Sequence, residues 1–124
     1  MRFCEVLADE VRPYNIQVNC MAPGAMSTAI LDEILQAGAE RAGEKEYAGA
    51  LKIRQQGGVL PERAAELAVF LASPAADMVT GKLISAVWDP WKEFPEHQNE
   101  LQKSDIYTLR RIIPSDRGQT WGDV

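Results

Sequence analysis

Cysteine and histidine are scarce in this 124-residue sequence, at two and one. Cys4 and Cys20 form no Cys-x-x-Cys, and no histidine stands beside them at metal-ligand spacing, so a zinc site or a disulfide scaffold is not expected. Two reduced, largely buried thiols in a cytoplasmic protein are the plain reading. His97 sits among acidic residues and reads as a solvated surface side chain. No apolar run approaches the ~20 residues that span a bilayer, and Glu5, Asp9, Glu10 and Arg12 interrupt any signal-peptide core near the start. Basic residues are outnumbered, 13 to 18, for a net charge of −5. Nucleic acid is therefore not an expected partner, because nothing supplies a basic stripe against phosphates. An anionic membrane is not one either.

What is present is ordinary globular text, 46% hydrophobic and 25% charged. Phe3, Val6, Leu7 and Val11 recur at helical spacing until Pro13 stops them. This helix opens at Met1 without a cap, as a cut helix would. Asn15 to Ala22 reads as a buried strand ended by Pro23-Gly24. Ser27 or Thr28 can cap a second helix with Ile30, Leu31, Ile34 and Leu35 as its apolar stripe, ended by Gly38. Ala39 to Gly58 is polar and glycine-punctuated, an excursion with a weak helical pattern around Tyr47–Ile53. Pro61 opens the clearest helix, with Ala64, Leu67, Ala68 and Leu71 on one face. Gly81 then introduces a strand over Lys82–Val87. Strand, helix, strand in that order is a parallel crossover. From Trp88 onward the text changes to prolines, tryptophans and charges, with short helices expected at Glu96–Lys103 and Ile106–Ile113.

Four pieces together resemble the short-chain dehydrogenase/reductase family. Leu7-Ala8-x-Glu10 through Asn15-Ile16-Gln17-Val18 is similar to a helix and strand of that family. Val18-Asn19-x-x-x-Pro23-Gly24-x-x-x-Thr28 is similar to its "VNxxxPGxxxT" segment. Pro61 to Ser73 is similar to its "peexAxxxxFLAS" helix, and Thr80-Gly81-Lys82 to its "TGq" entry into the last strand. The resemblance implies an α/β fold: the C-terminal portion of a doubly wound, Rossmann-like parallel sheet, followed here by an irregular helical tail. Residues 1–87 would be the C-terminal part of the family domain, with 29–58 as substrate lid, and 88–124 an extension. It also implies NAD or NADP as cofactor, a small carbonyl or alcohol as substrate, and a homo-oligomer.

By the same resemblance, Pro23 and Gly24 would form the turn beneath the nicotinamide. The Met26 backbone would face the carboxamide, and the Thr28 hydroxyl would contact the cofactor's amide or phosphate. Asn19 would satisfy backbone groups near the strand end. No residue is assigned a catalytic or metal-binding role. The family's Gly-x-x-x-Gly-x-Gly phosphate turn is absent from the sequence, since the position two beyond Gly118 and Gly122 holds Val124. So is its Tyr-x-x-x-Lys: Val18, Leu51 and Arg111 stand four residues after Tyr14, Tyr47 and Tyr107. The expectation is a piece of an NAD(P)-dependent oxidoreductase interconverting a carbonyl and an alcohol, inactive alone. The alternative is a non-catalytic interaction module keeping the family's oligomerisation surface.

Overall fold

The computed structural model describes residues 1–121; residues 122–124, the end of the expected 88–124 extension, lie outside the described residues. The chain forms two compact units, one of residues Met1–Cys20, Met78–Leu83 and His97 onward, the other of Met21–Asp77 and Ile84–Glu96. Strands β1 (Cys20–Ala22) and β2 (Leu83–Ser85) pair in parallel. Both are shorter than their apolar text suggests, because side chains take over the ladder. Val18 N–H donates to the Thr80 hydroxyl at 3.0 Å, and Lys82 N–H to Asn19 Oδ1 at 3.1 Å. Beyond Ser85, its hydroxyl accepts the Val87 and Trp88 N–H groups and turns the chain away.

In the first unit, helix α1 (Arg2–Val11) ends in a 3-10 turn at Arg12–Tyr14. Asn15 follows in the left-handed region, φ 54°. Only part of the expected apolar face of α1 turns inward: Leu7 and Val11 are half-buried. Ala8 is buried, whereas Phe3 is 74% and Val6 57% exposed. A Cβ placed on Gly81 would lie 3.6 Å from the Ala8 Cβ, in ordinary van der Waals contact. Helix α5 (Gln98–Lys103) forms where a short helix is expected. Ile106–Ile113 does not become one: Tyr107 turns at φ 59°, its carbonyl accepts Leu83 N–H at 2.7 Å, and Leu109 N–H donates to the Glu5 carboxylate at 2.7 Å. Tertiary partners outcompete the weak local helix pattern.

In the second unit, α2 (Ala29–Ala42) runs through a break at Gly38, φ 74°. The glycine ends the first helical stretch, as expected, and a short second one follows it to Ala42. The polar excursion after it is ordered as α3 (Glu44–Gln56). Leu31 and Ala50 are the buried residues of this pair, and Asp32 and Arg54 form an ion pair between them. Helix α4 (Pro61–Leu71) buries Ala64 and Leu67. A 3-10 segment, Trp91–His97, buries Trp91 and Phe94 against α4: Phe70 lies 5.4 Å from the Trp91 ring and 6.4 Å from Phe94. Trp91 and Phe94 are thus buried, at 3% exposure each, while Trp88 stays 82% exposed.

Candidate functional site

The four residues singled out in the sequence fall on one short segment between the end of β1 and the start of α2. Gly24 has φ +91°, and a Cβ there would meet Val87 Cγ2 at 2.8 Å and Val59 Cγ2 at 3.1 Å. Glycine is thus required by the protein's own packing as well as by its dihedral. Pro23 and Met26 are half-buried and Thr28 is exposed. A second glycine pins the segment from the other side. Val59 N–H donates to the Ala25 carbonyl at 2.8 Å, and a Cβ on Gly58 would stand 3.1 Å from the Ser27 nitrogen. The turn is therefore held between two glycine contacts and one hydrogen bond.

Thr28 occupies the N-cap position of α2 with extended backbone, yet its side chain makes no capping hydrogen bond. The hydroxyl is thus uncommitted at a helix N-terminus, where the orphan N–H groups favour an anion or a polar acceptor. From Pro23 to Thr28 there is no ionisable side chain. The segment can bind through backbone groups and two hydroxyls, and it has no acid or base with which to move a proton near neutrality.

Other residues serve structure. Asn19 Nδ2 donates to the Val79 carbonyl at 2.8 Å, the backbone-satisfying role expected of it. His97 is exposed, 4.0 Å from Glu100. Among the described residues no cluster of His, Cys, Asp and Glu could hold a metal ion. None of their helices is long and apolar enough to cross a membrane. A polar cleft in the first unit is lined by Arg12, Lys82 and Arg110, but their donors are already engaged by Asp9, by the Ser104 and Ile106 carbonyls, and by Asp105 and Asp116.

Sequence reasoning missed three features. Lys82 is only 5% exposed, with Nζ donating to Ser104 O at 3.2 Å and Ile106 O at 2.8 Å; burial lowers its pKa, Asp105 opposes the shift and Arg12 adds to it. Nothing in a "TGK" string signals that. Arg63 donates from Nε to the Ala86 carbonyl at 2.9 Å and stacks 5.5 Å from the Trp91 ring, which Lys92 also faces at 5.2 Å. The third is the influence of the Cys4 thiol on Cys20, sixteen residues on, whose pKa it raises, with burial adding to the shift.

A family model described as enoyl-(acyl carrier protein) reductase matches residues 1–86. The chain belongs to the short-chain dehydrogenase/reductase family. Curated relatives similar to it include cyclohexanol dehydrogenase of Rhodococcus sp. (strain TK6), 34% identical over 83 residues, 67% of this chain and 28% of the relative. Dehydrogenase/reductase SDR family member 4 of Sus scrofa is 37% identical over 78 residues, 63% of this chain and 26% of the relative. The NADPH-dependent reductase BacG of Bacillus subtilis is 31% identical over 83 residues, 62% and 31% of the two chains. This short-chain dehydrogenase/reductase chain thus spans under a third of the length of these relatives. No solved structure matches it.

Proposed function

We propose that this chain supplies the nicotinamide-side turn and the substrate lid of an NAD(P)-dependent oxidoreductase that interconverts a carbonyl and an alcohol. The observation that carries the reading is Thr28: it ends a Pro-Gly-x-x-x-Thr run at the N-cap of α2, with its hydroxyl uncommitted to capping. Residues 1–87 would be the C-terminal part of a doubly wound domain, 29–58 the lid, and 88–124 an extension. Pro23 and Gly24 would lie under the nicotinamide, the Met26 backbone would meet the carboxamide, and the Thr28 hydroxyl would donate to an amide or phosphate oxygen. When bound, the cofactor supplies or accepts the hydrogen exchanged at the carbonyl carbon. The residues present fit its nicotinamide end alone, since the sequence holds neither the glycine turn for the pyrophosphate nor a Tyr-x-x-x-Lys pair. The proton-transferring groups would come from residues outside this sequence, so these 124 residues by themselves turn nothing over. NAD and NADP fit this end equally.

A cytoplasmic homo-oligomer completes the reading, with Val69 and Trp88 among the exposed apolar residues a second copy would cover. The rival, a non-catalytic interaction module, is favoured by the exposed apolar face of α1, Phe3 and Val6.

A heteronuclear NMR titration with NADH and NADPH tests the proposal. Amide shifts confined to residues 24–30, with a dissociation constant of ~1–10 mM for so partial a site, are expected. Adenosine monophosphate should leave those amides unmoved. Flat spectra throughout the titration would remove the cofactor role, and sedimentation showing concentration-dependent assembly alongside them would favour the interaction module.

A further inference from the structure

One buried carbonyl gathers two side chains that the cofactor reading leaves unused. The Ala86 carbonyl, on a fully buried residue, accepts Arg63 Nε–H at 2.9 Å and Trp91 Nε1–H at 3.2 Å, one donor for each of its two lone pairs. On the other side of the same residue, Ala86 N–H donates to the Ala22 carbonyl at 3.0 Å, one residue before Pro23. Val87 N–H in turn donates to the Ser85 hydroxyl at 3.2 Å. The planar peptide between Ala86 and Val87 is therefore held at its oxygen and at its nitrogen. That fixes where Val87 carries its side chain, and Val87 Cγ2 is the atom 2.8 Å from the place a Gly24 Cβ would take. Packing holds both donors in place: the Arg63 guanidinium lies 5.5 Å from the buried Trp91 ring, and Phe70 meets that ring at 5.4 Å.

We infer that Arg63 and Trp91 are positioning residues for the Pro23–Gly24 turn, acting through the Ala86 carbonyl and Val87 on Gly24. As a role in cofactor binding this rests on the nicotinamide-side reading of that turn; as a geometric constraint it stands on the ligand-free chain. Arg63 brings helix α4 to bear on one oxygen, and Trp91 brings the 3-10 segment Trp91–His97 to the same atom. The start of the extension thereby gains a task at the candidate site. Of the two bonds, the one from Arg63 is charge-assisted and shorter, and so the stronger. With both donors removed, a buried oxygen loses its partners, and its peptide must rotate to find water or another N–H. Val87 turns with that peptide, and the wall beside Gly24 opens.

Substitutions that each remove one N–H test this in the intact 124-residue chain. Trp91→Phe keeps an aromatic ring beside Phe70 and loses the indole N–H. Arg63→Met keeps the stem and puts a methyl where Nε stood, whereas Arg63→Gln restores an N–H at that same position without the guanidinium. Leu67→Val trims a fully buried, donor-free side chain of α4 and controls for simple loss of stability. Without ligand, Arg63→Met, Trp91→Phe and above all the double variant should move the Gly24 amide resonance. They should also speed hydrogen exchange at Val59 N–H, which closes the turn on the Ala25 carbonyl. In an NADH titration followed at the Gly24 amide, the initial slope should fall about threefold to tenfold in the double variant. Arg63→Gln should stay near wild type, and Leu67→Val should keep both the resonance and the slope while unfolding at lower urea. Wild-type resonances in the double variant would overturn the inference. So would an undiminished NADH slope there, no recovery with Arg63→Gln, or equal effects from Leu67→Val. A wild-type Gly24 amide that ignores NADH would instead remove the cofactor role, and the ligand-free spectra would then decide the positioning by the same criteria.

Discussion

Replacing Gly24 with alanine puts the packing of the candidate site to a quantitative test. The new Cβ would sit 2.8 Å from Val87 Cγ2 and 3.1 Å from Val59 Cγ2, and the backbone would have to keep φ +91°. Holding a non-glycine residue at positive φ costs ~1–3 kcal/mol. Forcing a methyl into filled space costs a further ~1–3 kcal/mol. Against this, alanine restricts the unfolded chain and returns ~0.4–1 kcal/mol. The net expectation is a loss of about 1–5 kcal/mol, large beside the ~5–15 kcal/mol that holds a whole domain together. Urea unfolding, followed by the fluorescence of buried Trp91 at one fixed protein concentration, measures it. The double variant Gly24→Ala/Val87→Ala separates the two causes, because trimming Val87 relieves the clash and leaves the dihedral strained. Part of the loss, ~1–2 kcal/mol, should reappear as favourable coupling. If Gly24→Ala fell within ~0.5 kcal/mol of wild type, or the two substitutions simply added, the packing argument would fail. The glycine would then be there for a ligand instead.

Thr28→Ala should shift stability by less than ~0.5 kcal/mol, since no capping bond is lost, yet abolish the nicotinamide-induced amide shifts that Thr28→Ser retains. A stability loss with unchanged shifts would make Thr28 a cap only. In the tail, Arg110 grips Asp116 through two bonds of 2.7 and 2.8 Å and Ile113 N–H adds a third, holding the carboxyl down at about 2 against an ordinary 3.8. A depressed carboxylate stabilises above its unfolded pKa and is lost as pH falls through the folded one. The Pro114–Arg117 turn should therefore loosen between pH 3.8 and about 2, and an NMR carboxyl titration with its midpoint near 3.8 would refute the clasp. Lys82 works in the opposite sense: burial lowers its folded pKa, so below its ordinary 10.5 the unfolded chain holds the proton more tightly and stability rises with pH. Wild type should thus gain on Lys82→Met as the solution is taken from neutral toward 10.5, the neutral amine still having two N–H groups for the two carbonyls. A flat difference across that range would place the amine in water.

The residue text alone was enough for the family, the parallel crossover, the turn at Pro23-Gly24 and the start of α4, because each rests on local chemistry. Proline cannot continue a strand or donate within a helix, glycine alone tolerates φ +91°, and four motif pieces in the right order leave few alternatives. The end of the first helical stretch of α2 at Gly38 was legible for the same reason. Which apolar residues are buried was decided elsewhere. Phe3 and Val6 satisfy helical periodicity as well as any core residue, yet they stay exposed while Ala8, which packs at Gly81 seventy-three positions on, is buried. Ile106–Ile113 carries a helical pattern and loses it because Leu83 N–H needs an acceptor, which Tyr107 provides. The burial of Lys82, the stacking of Arg63 on Trp91 and the influence of Cys4 on Cys20 depend on neighbours sixteen to twenty-eight positions away. A periodicity reports what a segment can bury. Only the closed chain determines which partner is there to bury it, and whether a donor or a ring happens to be facing it.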